Sequence, residues 1–89
     1  MHRDIKPENM CIGAGKKKRT VYLIDLGLAK FFWDHKTHTH IPMATDKKLT
    51  GTARYTSINS HKGLEQSRRD DLCSICFVIV MFLKGQLPW

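Results

Sequence analysis

The sequence predicts an α+β fold: a hairpin of short strands, a long polar segment and one apolar helix within 89 residues. Three observations carry that expectation. Met10 to Ile12 and Val21 to Ile24 are short apolar or β-branched runs, separated by Gly13, Gly15 and a basic cluster, which is the pattern of a hairpin. Leu72 to Leu83 is a strongly apolar run interrupted only by Ser74 and two cysteines, which reads as a buried helix. Between them, the chain from Asp25 to about Ser60 is rich in Thr, Lys and His and shows little periodicity.

In chain order, Met1 to Asn9 mixes charge with proline and has no period, so it is expected to be an ordered loop whose backbone Pro7 helps to fix. The hairpin follows. Asp25-Leu26-Gly27 closes its second strand with a polar turn, and the segment to Ser60 is expected to be loop. Loops of more than about 15 residues are uncommon and often functional, so this segment is where binding or regulation is expected. His35, His38 and His40 within it lack the further ligands that a metal site needs. From Gln66 a helix is expected, with Ser67 as its cap, Asp70 and Asp71 in its first turn, and an end near Gly85 and Pro88. No repeat or linker divides the chain, so residues 1–89 read as one unit. A chain this short removes only about 60 to 65% of its unfolded surface from water, which limits the core it can build.

Composition narrows the partners. A hydrophobic content of 42% fits a folded domain, and fifteen Lys and Arg against eight Asp and Glu give +7, which favours an anionic partner. Nucleic acid is not expected, because the basic residues carry no recognition-module pattern and no interleaved aromatics. The helical run of twelve residues would span only about 18 Å, too short for a bilayer, and no signal-peptide pattern opens the chain. Cys11, Cys73 and Cys76 are odd in number, which favours a reducing compartment, cytoplasmic or nuclear; Cys73 and Cys76 are expected to pack in the helix. Lys16-Lys17-Lys18-Arg19 reads as a basic turn between strands in preference to a nuclear-localisation patch.

The most specific pattern is His2-Arg3-Asp4-Ile5-Lys6-Pro7-Glu8-Asn9, which matches the catalytic-loop signature of protein kinases, with the lysine two residues after the aspartate that serine/threonine enzymes carry. Sixteen residues beyond Asn9, Asp25-Leu26-Gly27 follows a strand, as the metal-binding Asp-Phe-Gly of kinases does. Leucine in place of phenylalanine loses ring area at a position that helps to set the active state. Most kinases close the activation segment with Ala-Pro-Glu; here it closes with Ser57-Ile58-Asn59 after Leu49-Thr50-Gly51-Thr52-Ala53-Arg54-Tyr55-Thr56. With Lys36-Thr37-His38, His40-Ile41-Pro42, Gly63 to Asp71 and Gly85 to Trp89, the whole chain resembles the casein kinase 1 family.

The resemblance implies part of a protein kinase-like C-terminal lobe, comprising catalytic loop, small hairpin, activation segment and central helix. It implies ATP and Mg2+ as cofactors, and protein substrates bearing acidic or phosphorylated residues near the target Ser or Thr. Asp4 would take the substrate hydroxyl proton, Lys6 would steady the transferred phosphoryl group, and Asn9 and Asp25 would hold magnesium. Thr52 would hydrogen-bond Asp4 and Lys6. Arg54 would bind the anionic group of the substrate, and Arg3, Lys30 and Lys47 resemble a second basic cluster that receives a phosphorylated activation loop in other kinases. Asp71 would accept hydrogen bonds from the catalytic-loop backbone. Cys76 stands where the family has glycine, at a packed position. The Gly-rich loop, the strand lysine and the flanking helices of a complete kinase are expected to lie outside these residues, so the alternatives are an inactive truncated fragment or a pseudokinase-like binding module.

Overall fold

The computed structural model describes all residues from Met1 to Trp89. Strand β1 (Met10–Ile12) pairs antiparallel with β2 (Val21–Leu23), Met10 opposite Leu23 and Ile12 opposite Val21. Flanking bonds lengthen this ladder in both directions, from Gly13 N to Thr20 O at 2.9 Å and from Ile24 N to Asn9 O at 3.0 Å. The second of these brings the Asp25 turn up to the end of the Asp4–Asn9 loop. Pro7 opens a 3-10 turn over Pro7–Asn9, where its missing N–H costs nothing and its fixed φ suits the helical start.

The segment expected to be loop contains two further strands and a short helix. β3 (Trp33–Asp34) and β4 (Thr39–His40) form a second antiparallel pair, and α1 spans Ile58–His61 after a 3-10 turn at Ala53–Tyr55. Strands of two residues have no readable period. What shapes this hairpin is Asp34, whose carboxylate accepts the Lys36 amide at 2.8 Å and the Thr37 amide at 3.3 Å.

Helix α2 (Arg68–Lys84) starts where Ser67 and Asp70 meet, with the Asp70 carboxylate accepting the Ser67 amide at 2.7 Å. It stops at Gly85, whose left-handed φ of 74° lets its N–H return to Met81 O at 2.8 Å. Asp70, Ser74 and Val78 are buried, four residues apart, so one stripe of the helix faces inward. Val78 closes with Ile5 and Tyr55 into the core, and Ser74 donates from its hydroxyl to Tyr55 O at 2.7 Å.

The helix is therefore not buried all round, as its composition suggested. Leu72 is 62% exposed and Leu83 81%. Cys73 and Cys76 lie on the open side too, free and exposed, not packed as expected. The reason is geometric: the buried stripe meets the Met1–Asn9 loop and the Ala53–Tyr55 turn and Phe77 packs edge-on against Trp89 at 4.9 Å, while the side bearing Leu72, Cys76, Ile79 and Leu83 is left open. No helix is long and apolar enough to cross a membrane.

Candidate active site

The loop carrying Asp4 is anchored from below. Asp71, in the first turn of α2, accepts the His2 amide at 2.7 Å and the Arg3 amide at 2.8 Å, one on each carboxylate oxygen. Two successive amides reach one carboxylate because Arg3 adopts a left-handed φ of 69°. The buried His2 ring fixes the other flank: its Nε2 donates to Ile24 O at 3.0 Å, while its Nδ1 accepts the Asp4 amide at 3.3 Å. The loop is thus tied to both the helix and the strand end before any side chain of the site is placed.

On that base, four of the residues singled out from sequence converge. The Asp4 Oδ1 atom accepts the Thr52 hydroxyl at 2.7 Å and the Thr52 amide at 2.9 Å. Its Oδ2 atom lies 3.2 Å from both Lys6 Nζ and Asn9 Nδ2. Lys6 also donates to Thr52 Oγ1 at 2.9 Å, so the ammonium and hydroxyl form a closed ring around the carboxylate. Burial pushes the Asp4 carboxyl up, but the Thr52 hydroxyl, the Lys6 ammonium and the Thr52 amide together outweigh it and hold the group below its ordinary value. The result is a carboxylate kept ionised and aimed, beside a cation suited to an anionic ligand.

Thr52 reaches this position because Gly51, at φ 94°, passes directly against the Arg3 carbonyl, where any Cβ would collide. The Ser57-Ile58-Asn59 run completes the support. Ser57 caps α1, its hydroxyl oxygen accepting the Ser60 amide at 3.1 Å while donating to the buried Asp70 at 2.5 Å.

Asp25 is not hydrogen-bonded to the cluster. Its backbone sits in the left-handed region at φ 63°, and its carboxylate folds back to accept the Gly27 amide at 3.1 Å, with no hydrogen bond to Asp4 or Asn9. No group of three or more His, Cys, Asp or Glu side chains is placed to hold a metal ion. The donors that would suit a hard cation are the Asn9 side-chain oxygen, left open because the amide nitrogen faces Asp4, and the second oxygen of Asp25. Two such donors fit Mg2+, which takes few protein ligands and completes its shell with water and phosphate oxygen.

Arg54 lies exposed beside this site, its guanidinium 3.7 Å from Glu8 and over the Tyr55 ring at 5.2 Å. Arg3, Lys30 and Lys47 come together around a recess of about 190 Å³. Sequence reasoning missed the residue at its centre. Glu65 lies 2.8 Å from Lys30 and 3.2 Å from Lys47, and the only signal for it was its being the sole acidic residue between Lys47 and Arg69. The family model described as fungal protein kinase matches residues 1–83, nearly the whole chain. The chain belongs to the fungal protein kinase family.

Proposed function

We propose that these residues carry the phosphoryl-transfer centre of a serine/threonine protein kinase of casein kinase 1 type, acting on proteins with acidic or phosphorylated residues near the target. The observation that carries this reading is the Asp4 carboxylate held by Thr52, Lys6 and Asn9. In it, Asp4 orients the substrate hydroxyl and accepts its proton as the oxygen bonds to the γ-phosphorus of ATP and the bond to the β–γ bridging oxygen breaks. A carboxylate so well supplied with donors is a weak base, so its main service is alignment, which suits a reaction that needs positioning more than proton affinity. Lys6 neutralises charge on the transferred group. Mg2+, when bound, would supply charge neutralisation at the phosphates, and Asn9 and Asp25 are the residues that would hold it.

Arg54 supports the substrate class. Its ion pair with Glu8 is long and exposed, so an acidic or phosphorylated substrate group can replace Glu8 at little cost. The free cysteines fit a cytoplasmic or nuclear setting. The test uses the full-length protein, purified ATP and a phosphorylated acidic peptide. Asp4→Asn is expected to lower transfer by about 10²- to 10⁴-fold, and Arg54→Ala to remove the preference for the primed peptide over an unprimed one. Wild-type turnover by Asp4→Asn would overturn the mechanism.

One observation favours a second reading, a binding module without turnover: the Asp25 carboxylate accepts the Gly27 amide and makes no hydrogen bond to the Asp4 cluster. Under that reading the full-length wild type binds nucleotide or acidic protein but transfers no phosphate in Mg2+.

A further inference from the structure

We propose that Glu65 is a positioning residue, a built-in counter-anion that clamps the segment 44–52 so that Thr52 stays on Asp4. The inference extends the phosphotransfer reading and rests on it only for its kinetic consequence.

Glu65 is buried yet faces two cations from different parts of the chain, Lys30 at 2.8 Å on one oxygen and Lys47 at 3.2 Å on the other. Each lysine belongs to a segment already committed to the site. Lys30 exchanges backbone bonds with Met1, its amide donating to Met1 O at 3.0 Å and its carbonyl accepting the Met1 ammonium at 2.8 Å. Arg3 reaches the same segment through Leu28 O at 2.6 Å. Lys47 donates its amide to Gly63 O at 2.9 Å, and the Glu65 amide returns to Ala44 O at 2.8 Å. Gln66, next in sequence, donates to Thr50 O at 3.0 Å, two residues from Thr52.

The clamp is therefore a line of contacts: Met1–Arg3, residues 28–30, Glu65, residues 44–50, and Thr52 back to Asp4. Its only long-range charge contact is Glu65, and without it Arg3, Lys30, Lys47 and Lys48 would share one recess with no anion among them. Like charges so confined repel, and two of them, Lys47 and Lys48, lie on the segment that carries Thr52. The Lys30 hydrogen bond, opposed by burial and joined by Lys47, holds the Glu65 carboxyl below its ordinary value, in keeping with a permanently ionised clamp.

Amide hydrogen exchange on the full-length protein tests this without requiring activity. In Glu65→Gln the Lys47 and Thr52 amides are expected to exchange about tenfold faster or more, while those of α2 keep their protection. Millimolar inorganic phosphate, which can bridge the same cations, is expected to restore protection in the variant and to change little in the wild type. In the phosphotransfer assay, kcat falls about 10- to 100-fold with KM for ATP unchanged, and phosphate recovers part of it. Unchanged exchange at Lys47 and Thr52, or a loss that phosphate does not reverse, overturns the proposal. Should Glu65→Gln unfold the whole chain, Lys47→Gln at a half-exposed lysine reads the same contact: faster exchange confined to 44–52 supports the clamp, and wild-type exchange overturns it. A wild type that transfers no phosphate would remove the kinase reading and leave the exchange result to decide the clamp.

Discussion

Asp4 and Glu65 are carboxylates whose neighbours favour the charged form, and the sign of their effect on stability follows. A carboxyl held lower in the folded chain than in the unfolded one contributes stability above its unfolded value, and that contribution is lost as pH falls through the folded value. The ordinary values are 3.8 for Asp4 and 4.5 for Glu65, and Asp34, holding two loop amides, shifts in the same direction. Unfolding free energy measured in urea is therefore expected to be flat above about pH 5 and to fall progressively below about pH 4.5. Thr52→Ala, which removes the hydroxyl bond to Asp4, should make the acid loss shallower; a curve identical to that of the wild type would contradict the assignment. At this scale the sequence was legible where partners are close in a compact motif. Asp4, Lys6 and Asn9 lie within six residues, and their spacing is itself the geometry. Glu65 was not legible, because its Lys30 partner is 35 residues away and only folding brings a lone acidic residue into a basic recess. The bond from the Gly27 amide to the Asp25 carboxylate was equally hidden, since a turn of this kind leaves no mark on the letters.

Elements announce themselves by their ends more reliably than by their surroundings. Ser67 and Gly85 bound α2 as expected, because a cap and a left-handed stop act through the local backbone. The β1–β2 pair was legible from its apolar runs, whereas β3 and β4 were not, being two residues each and shaped by the Asp34 turn. The junction between α1 and α2 depends on Asp70, which is 3% exposed and serves both elements by accepting the Ser57 hydroxyl and the Ser67 amide. Asp70→Ala would leave two inward-facing donors without an acceptor. Each such loss costs about 1 to 3 kcal/mol, so destabilisation of about 2 to 6 kcal/mol is expected from urea or thermal unfolding. Asp70→Asn, which keeps one acceptor oxygen, should cost less. Equal stability of Asp70→Ala and wild type would show that this junction is held by other contacts.

The whole molecule is a flat body, 42 × 33 × 18 Å, with more surface than its mass requires. A compact protein of this size exposes about 5,400 Å² by the scaling of area with mass, against 6627 Å² here. The largest recess, about 700 Å³, lies among the N-terminus, the Leu26–Phe31 segment and α2 and is lined mostly by apolar side chains, so it adjoins the Asp4 cluster without being its ligand cleft. Only Ile5, Tyr55 and Val78 are fully buried apolar residues, with Met10, Ile75, Phe77, Met81 and Leu87 packed partly buried against them, so the core is small. The exposed outer face of α2 follows from the same shortage of cover, and its consequence is association. Phe82 is 66% exposed and Leu83 81%, so charging both should change folding stability by only about 0.5 kcal/mol each. Phe82→Glu with Leu83→Glu is expected to lower concentration-dependent self-association in sedimentation while leaving the unfolding midpoint within a few degrees of wild type. A loss of stability well beyond that bound would mean that these side chains are covered in solution, and that α2 is enclosed on a face that the described chain leaves open.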